Sequence, residues 1–162
     1  TIYEGTTAIQ ANDLVGRKTA RDGGQTAKGI ASQIEATEKA LIASGTEGAR
    51  SLAINLEKAR KAFLDVVDFV VASTKSAPND VFAGSVPYVM LAGNLVAGWQ
   101  MGRALLAAQE LLTAGDGDKA FLEAKVTTAR FYATHILVKT SALRDEILHG
   151  GASVMALPLD SF

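Results

Sequence analysis

The sequence predicts an all-α fold, an up-and-down bundle of about four long antiparallel helices preceded by a short N-terminal helix. Three observations lead there. Apolar residues recur at three- and four-residue steps over long windows. Much of the 48% hydrophobic content is alanine and leucine, which favour helix, while aromatics make up only 6%. Turns rich in glycine, proline and aspartate separate the windows, and no stretch alternates with the period of two that a strand requires.

Residues 6–18, with apolar positions at Ile9, Leu14 and Val15, read as a short, polar-rich helix. The next stretch, 19–26, contains Gly23-Gly24 and only Ala20 as an apolar residue, so it reads as a linker. Ile30, Ile34, Ala40 and Leu41 then fall near one helical face, with Glu35 and Lys39 four apart on the outside and Gly45 as the stop. Over 46–73, Leu52, Leu56, Ala59, Phe63, Val66, Val67 and Val70 form an apolar stripe, while Lys58, Lys61, Asp65 and Asp68 lie on another face. That is an amphipathic helix of roughly 28 residues, ~40 Å long. Pro78-Asn79-Asp80 ends the turn that follows.

The next helix, starting near 81 or 85 and ending near 113, is apolar nearly all round and is expected to be the most buried. Pro87 fits only its first turn or a kink. Gly93, Gly98 and Gly102 would let neighbouring backbone approach, and the Gly98-x-x-x-Gly102 spacing reads as close packing in a bundle. A last helix starts after Gly115-Asp116-Gly117-Asp118, where an aspartate can cap it, and carries Phe121, Leu122, Val126, Ala129, Ala133 and Ile147 to a stop at Gly150-Gly151. The tail, 152–162, holds Pro158 and is expected to be extended.

Composition excludes several functions. Sixteen basic and 17 acidic residues give a net charge of −1, which offers no footprint for nucleic acid. Without cysteine there is no disulfide, thiol nucleophile or thiolate-bound metal, which fits a reducing, cytoplasmic setting. The apolar run 86–99 is shorter than the ~20 residues of a membrane span and holds Asn94. The chain opens without methionine or a signal peptide, as expected of a piece of a longer polypeptide.

Several constellations look chemical and are not. Glu146 and His149 form one half of a di-iron motif, but His135 has Tyr132 where the second glutamate belongs, so His149 reads as a surface residue at a helix end. Asp116-Gly117-Asp118 opens like a calcium loop and then lacks its other ligands. Asp65 and Asp68 share their face with lysines, and Arg17, Lys18 and Arg21 read as surface charge. Gly23-Gly24 is too short to cradle a phosphate.

One segment points to a reaction. Ile2-Tyr3-Glu4-Gly5-Thr6-Thr7-Ala8-Ile9-Gln10 resembles the Ile-Tyr-Glu-Gly-Thr-x-x-Ile-Gln signature of acyl-CoA dehydrogenases, with seven positions matching in type and order. Residues 11–18 and the helical region beyond are similar to the larger bacterial-type members, among them enzymes acting on 3-(methylthio)propanoyl-CoA, which append a C-terminal helical domain. The resemblance implies that Glu4 removes the α-proton of an acyl thioester while a hydride leaves the β-carbon for FAD. A carboxylate in a dry pocket has the raised pKa that this requires. It also implies that Gly5 leaves room for substrate and flavin, and that Thr6, Thr7 and Ala8 contact the FAD. Residues 1–27 would then end the dehydrogenase's own helical domain, and 28–162 would be the appended bundle, structural or oligomer-forming. Partners would be the acyl-CoA, an electron-transfer acceptor and further copies of the chain. The family's other domains, which build most of the flavin and acyl sites, are not in these residues, so the chain alone is expected to be inactive. The alternative is an independent helical interaction module without catalysis.

Overall fold

The computed structural model describes residues 6–154 and 156–161. Among them the fold is all-α, with no strand. The helices are α1 (Thr7–Asp13), α2 (Gln25–Ala43), α3 (Glu47–Ser73), α4 (Pro78–Ala83), α5 (Ser85–Ala114), α6 (Lys119–His135), α7 (Thr140–His149) and α8 (Gly151–Val154). A π-helical turn, Leu14–Ala20, continues α1, and 3-10 turns cover Leu137–Lys139 and Leu159–Ser161.

The helix ends follow local chemistry. Asp22 accepts hydrogen bonds from the backbone N–H of Gly24 at 2.9 Å and of Thr26 at 3.0 Å, and so organises the start of α2. Gly24 sits there at φ 77°, where a side chain is strained and a Cβ would meet Val67. The Thr46 hydroxyl accepts from Ala49 N–H to cap α3, and the Asp118 carboxylate accepts from Ala120 and Phe121 to cap α6. Short turns join α2 to α3 and α5 to α6, so each pair packs side by side.

α3 lies at the centre and packs against α2, α5, α6 and α7. Its buried residues run from Ala49 to Val70, and Leu52, Leu56, Ala59, Val66 and Val67 are fully inaccessible. α2 contributes Ile34 and Leu41, α5 contributes Tyr88, Leu91, Leu95 and Leu105, and the C-terminal elements contribute Ala129, Leu137 and Ile147. At the α2–α3 seam, Arg60 donates from Nε and Nη2 to both carboxylate oxygens of Glu38, at 2.9 to 3.1 Å. Both side chains are nearly buried, at 13% and 8% exposure, so the pair is a planar fork held out of water.

At Gly98 and Gly102 side chains, and not the neighbouring backbone expected from the sequence, come close. A Cβ on Gly98 would stand 2.5 Å from Leu137 Cδ2, and one on Gly102 would stand 3.1 Å from Leu41 Cδ1. Gly93 differs: a Cβ there would meet nothing within 4 Å.

The structure corrects other expectations. The last helix is broken at Ile136 (φ −111°, ψ −55°) into α6, a 3-10 turn and α7, which lets Leu137 enter the groove that Gly98 leaves. α5 is not the most buried helix: Val86, Met90, Val96 and Leu111 are exposed on its outer side, and α3 holds the centre. Pro78 opens α4 instead of ending a turn. Ala40 is exposed, and Ala27, Ala31 and Glu38 share the buried face of α2 with Ile34 and Leu41. The helix at 6–18 runs on as the π-helical turn to Ala20, which shortens the linker. The described part of the tail contains α8 and a 3-10 turn instead of being extended throughout.

Two stability outcomes follow. Gly98→Leu should drive a side chain into Leu137 and lower stability by about 1–3 kcal/mol, seen as a lower chemical-denaturation midpoint; an unchanged midpoint would refute the tight contact. Glu38→Ala should cost about 3 kcal/mol or more by stranding a buried guanidinium. The double variant Glu38→Met with Arg60→Leu should recover most of that loss. If the single and double variants melt alike, the ion pair is not what holds the seam.

Candidate functional site

The segment with the dehydrogenase-like motif meets the described structure at Thr6. Glu4 and Gly5 lie outside the described residues. The Thr6 carbonyl accepts hydrogen bonds from Ile9 N–H at 2.8 Å and Gln10 N–H at 3.2 Å, which starts α1. Thr6, Thr7 and Ala8 are all exposed. They stand at the outer end of a helix rooted in the bundle by Ala11 and Val15, both fully buried.

The π-helical turn extends this anchorage. Ala11, Val15 and Thr19 follow one another at four-residue steps and all point inward. Thr19 Oγ1 lies 2.9 Å from Tyr88 Oη in a buried hydrogen bond, and the Tyr88 ring stacks on Phe63 with centroids 5.9 Å apart. Burial holds the Tyr88 phenol above its ordinary pKa, against the opposing pull of the Thr19 hydrogen bond. Beside this contact lies an apolar cleft of about 220 Å³, lined by Leu14, Lys18, Ile30, Phe63, Leu95 and Val96 among others.

Sequence reasoning did not find this cleft, because its lining comes from α2, α3, α5 and the π-helical turn. One signal was available: Thr19 stands four residues after Val15, on the same helical stripe, although its neighbours are linker-like.

The remaining charged groups have structural partners or lie in solvent. Arg17 pairs with Asp13 at 3.1 Å on the surface, and Lys18 is exposed at the cleft rim. Asp68 pairs with Lys28 of α2 at 2.8 Å and Asp65 with Arg144 of α7 at 3.4 Å, so the two aspartates are tied to different helices. His149 is exposed in the last turn of α7. Among the described residues no group of three or more His, Asp or Glu side chains is placed to hold a metal ion. No helix among them is long and apolar enough to cross a membrane.

Residues 28–158 match the family described as acetyl-CoA dehydrogenase C-terminal like. The chain belongs to that family. It is 48% identical over 158 residues, 98% of its length, to the 3-methylmercaptopropionyl-CoA dehydrogenase of Ruegeria pomeroyi. It is 35% identical over 159 residues, 90% of its length, to the broad-specificity linear acyl-CoA dehydrogenase FadE5 of Mycobacterium tuberculosis. It spans 26% and 25% of those two proteins, about a quarter of each. The family match begins at residue 28, beyond the motif at 2–10, so two separate stretches of the chain point to an acyl-CoA dehydrogenase C-terminal region.

The Thr19–Tyr88 contact makes a pH-dependent prediction. The folded state holds the phenolic proton more tightly than the unfolded chain, so this group's contribution is complete below the ordinary tyrosine pKa of about 10. It is lost as pH rises through the higher folded value. Tyr88→Phe should therefore be less stable than the parent at neutral pH, with a gap that narrows above pH ~10. Denaturation midpoints of both proteins across that range are the check, and a pH-independent gap would mean that Tyr88 does not resist ionisation.

Proposed function

We propose that this chain is the C-terminal part of a flavin-dependent acyl-CoA dehydrogenase, which introduces an α,β double bond into an acyl-CoA thioester. The observation that carries this is the joint presence of the Tyr3-Glu4-Gly5-Thr6 motif and a family match over 28–158. That match, with dehydrogenase relatives aligned along nearly the whole chain, also argues against an independent interaction module.

In this reading Glu4 is the base: its carboxylate takes the α-proton, and its backbone N–H helps polarise the thioester carbonyl. FAD, when bound, accepts the hydride from the β-carbon. Gly5, without a side chain, leaves room for substrate and flavin to approach. Thr6, Thr7 and Ala8 touch the cofactor, and their exposure at the end of an anchored helix fits a ligand approaching from outside the bundle. Residues 1–27 close the dehydrogenase's own helical domain. Residues 28–162 form the appended bundle, with a structural or oligomer-forming role in a cytoplasmic homo-oligomer that passes electrons to an electron-transfer acceptor.

The test uses the complete enzyme. Glu4→Gln keeps size and hydrogen bonding but removes the basic oxygen, so FAD binding should persist while flavin reduction by acyl-CoA falls about 100- to 10,000-fold. Reduction at the parent rate would place the base elsewhere. The 162-residue chain titrated alone with FAD and octanoyl-CoA should neither retain stoichiometric flavin nor bleach it. Either result would show that the active centre is built within this chain.

A further inference from the structure

The dipeptide Asp-Gly occurs at Asp22-Gly23 and Asp116-Gly117, and Asn-Gly does not occur in this chain. The pair carries a reactivity of its own. The glycine nitrogen can attack the aspartate Cγ, because no side chain shields it and glycine reaches the needed dihedrals freely. A C–N bond forms and the Cγ–OH bond breaks; the hydroxyl and the amide proton leave as water, and a five-membered succinimide remains. Water then adds at one of the two ring carbonyls. Opening at the main-chain carbonyl leaves the chain running through Cγ, an isoaspartyl linkage with the mass of the original. The reaction needs a mobile carboxyl group, a free N–H and access for water.

At Asp22-Gly23 the fold withholds the first two. Asp22 Oδ1 accepts from Gly24 N–H at 2.9 Å and Oδ2 from Thr26 N–H at 3.0 Å. The Gly23 N–H donates to the Ala20 carbonyl at 3.3 Å. Hydrogen bonding from the Thr26 side chain, and then from its backbone, also holds the Asp22 carboxyl below its usual range. That thins the neutral form whose hydroxyl must leave. Asp160-Ser161 is guarded at the nitrogen as well, since Ser161 N–H donates to the Pro158 carbonyl at 3.0 Å.

Asp116-Gly117 is held only at its edges. Gly115, at φ 69°, closes α5, and the Asp116 N–H donates to the Leu111 carbonyl at 3.0 Å. Asp118 opens α6 by accepting from Ala120 and Phe121. Between these two fixed points, the Asp116 carboxylate and the Gly117 N–H have no partner among the described residues. Both residues are exposed. Lys119, the nearest lysine in sequence, pairs with Glu123 at 3.8 Å instead. Gly117 has φ 83°, which strains any side chain, although a Cβ there would come no closer than 3.6 Å to Leu122. The turn thus selects glycine for its dihedral, and the glycine leaves its nitrogen open to attack.

We propose that Asp116 is a site of spontaneous isoaspartate formation, which the fold confines to the turn between α5 and α6. The product has one more backbone carbon between residues 116 and 117. That displaces Asp118 relative to the N–H groups it caps, so the first turn of α6 loosens. The new α-carboxylate stands in solvent, where an enzyme that methylates isoaspartyl groups can reach it. Neither flavin nor acyl thioester takes part, so this inference and the dehydrogenase reading fail separately.

The test ages the complete enzyme in mildly acidic buffer, native and in denaturant, and locates isoaspartate in tryptic peptides 22–28 and 104–119 by electron-transfer fragmentation. In the native protein it should accumulate at Asp116 at least about tenfold faster than at Asp22, and the two rates should converge in denaturant, where the protecting hydrogen bonds are gone. Asp116→Glu cannot close a five-membered ring and should abolish the signal in peptide 104–119. Asp116→Asn should form isoaspartate faster, with the mass gain of deamidation. In the aged parent, hydrogen exchange at Ala120 and Phe121 should be faster than in fresh protein. Equal native rates at Asp22 and Asp116 would overturn the selection by the fold. Isoaspartate at 116 in denaturant alone would show the turn to be rigid or covered, and would overturn the proposal.

Discussion

The whole bundle depends on α3 being buried on more than one side. From Ala49 to Val70 it faces α2, α5, α6 and α7, so nearly every apolar layer of the core includes one of its residues. Part of its charge lies on the solvent face, where Lys61 pairs with Glu57 of the same helix, and three other charges reach into the seams with its neighbours. Arg60 reaches across to Glu38, Asp68 to Lys28, and Asp65 to Arg144. Only the first is nearly dry. The two exposed pairs contribute little net stability, because water screens them and their side chains lose freedom on pairing. The Glu38–Arg60 fork carries a large desolvation cost, which its parallel hydrogen bonds offset, and its planar geometry fixes how α2 sits along α3.

What was legible in the sequence was what a single helix can express. The stripe of α3 is visible because burial and helical period coincide there, and Gly45 and the aspartates before α6 mark ends whose chemistry is local. The break at Ile136 was not legible, since no glycine or proline announces it. Its cause is tertiary, a place for Leu137 in the groove left by Gly98 some forty residues earlier. α5 misled for a related reason: an inner face packed on the bundle and an outer side with exposed Val86, Met90, Val96 and Leu111 superimpose into a helix that looks apolar all round. The candidate site divides in the same way. Glu4 and Gly5 are readable from a motif, Thr6 to Ala8 by position within it, and the cleft beside Tyr88 only once four elements are brought together.

The two glycine types on α5 show why residue identity alone does not reveal a role. Gly98 and Gly102 occupy the inner face, where side chains from other elements fill the space a Cβ would need. Gly93 occupies the outer face with the same helical conformation and no such neighbour. In sequence the three are equivalent; in space, two let the core close and one leaves a surface flat.

The motif-bearing helix and the bundle are mechanically one piece. Ala11 and Val15 are fully buried, and the Thr19–Tyr88 hydrogen bond fastens the π-helical turn to the same helix whose Leu91 and Leu95 pack in the core. A π-helical turn winds more loosely than an α-helix and so displaces the residues before it relative to those after it. Here the residues before it lead to Thr6 and the motif, and those after it lead into α2. The direction of α1 is therefore set by buried contacts at Ala11, Val15 and Thr19. The bundle therefore holds α1 through its own core, and a change of packing at Val15 or Thr19 would shift the start of that helix relative to α2.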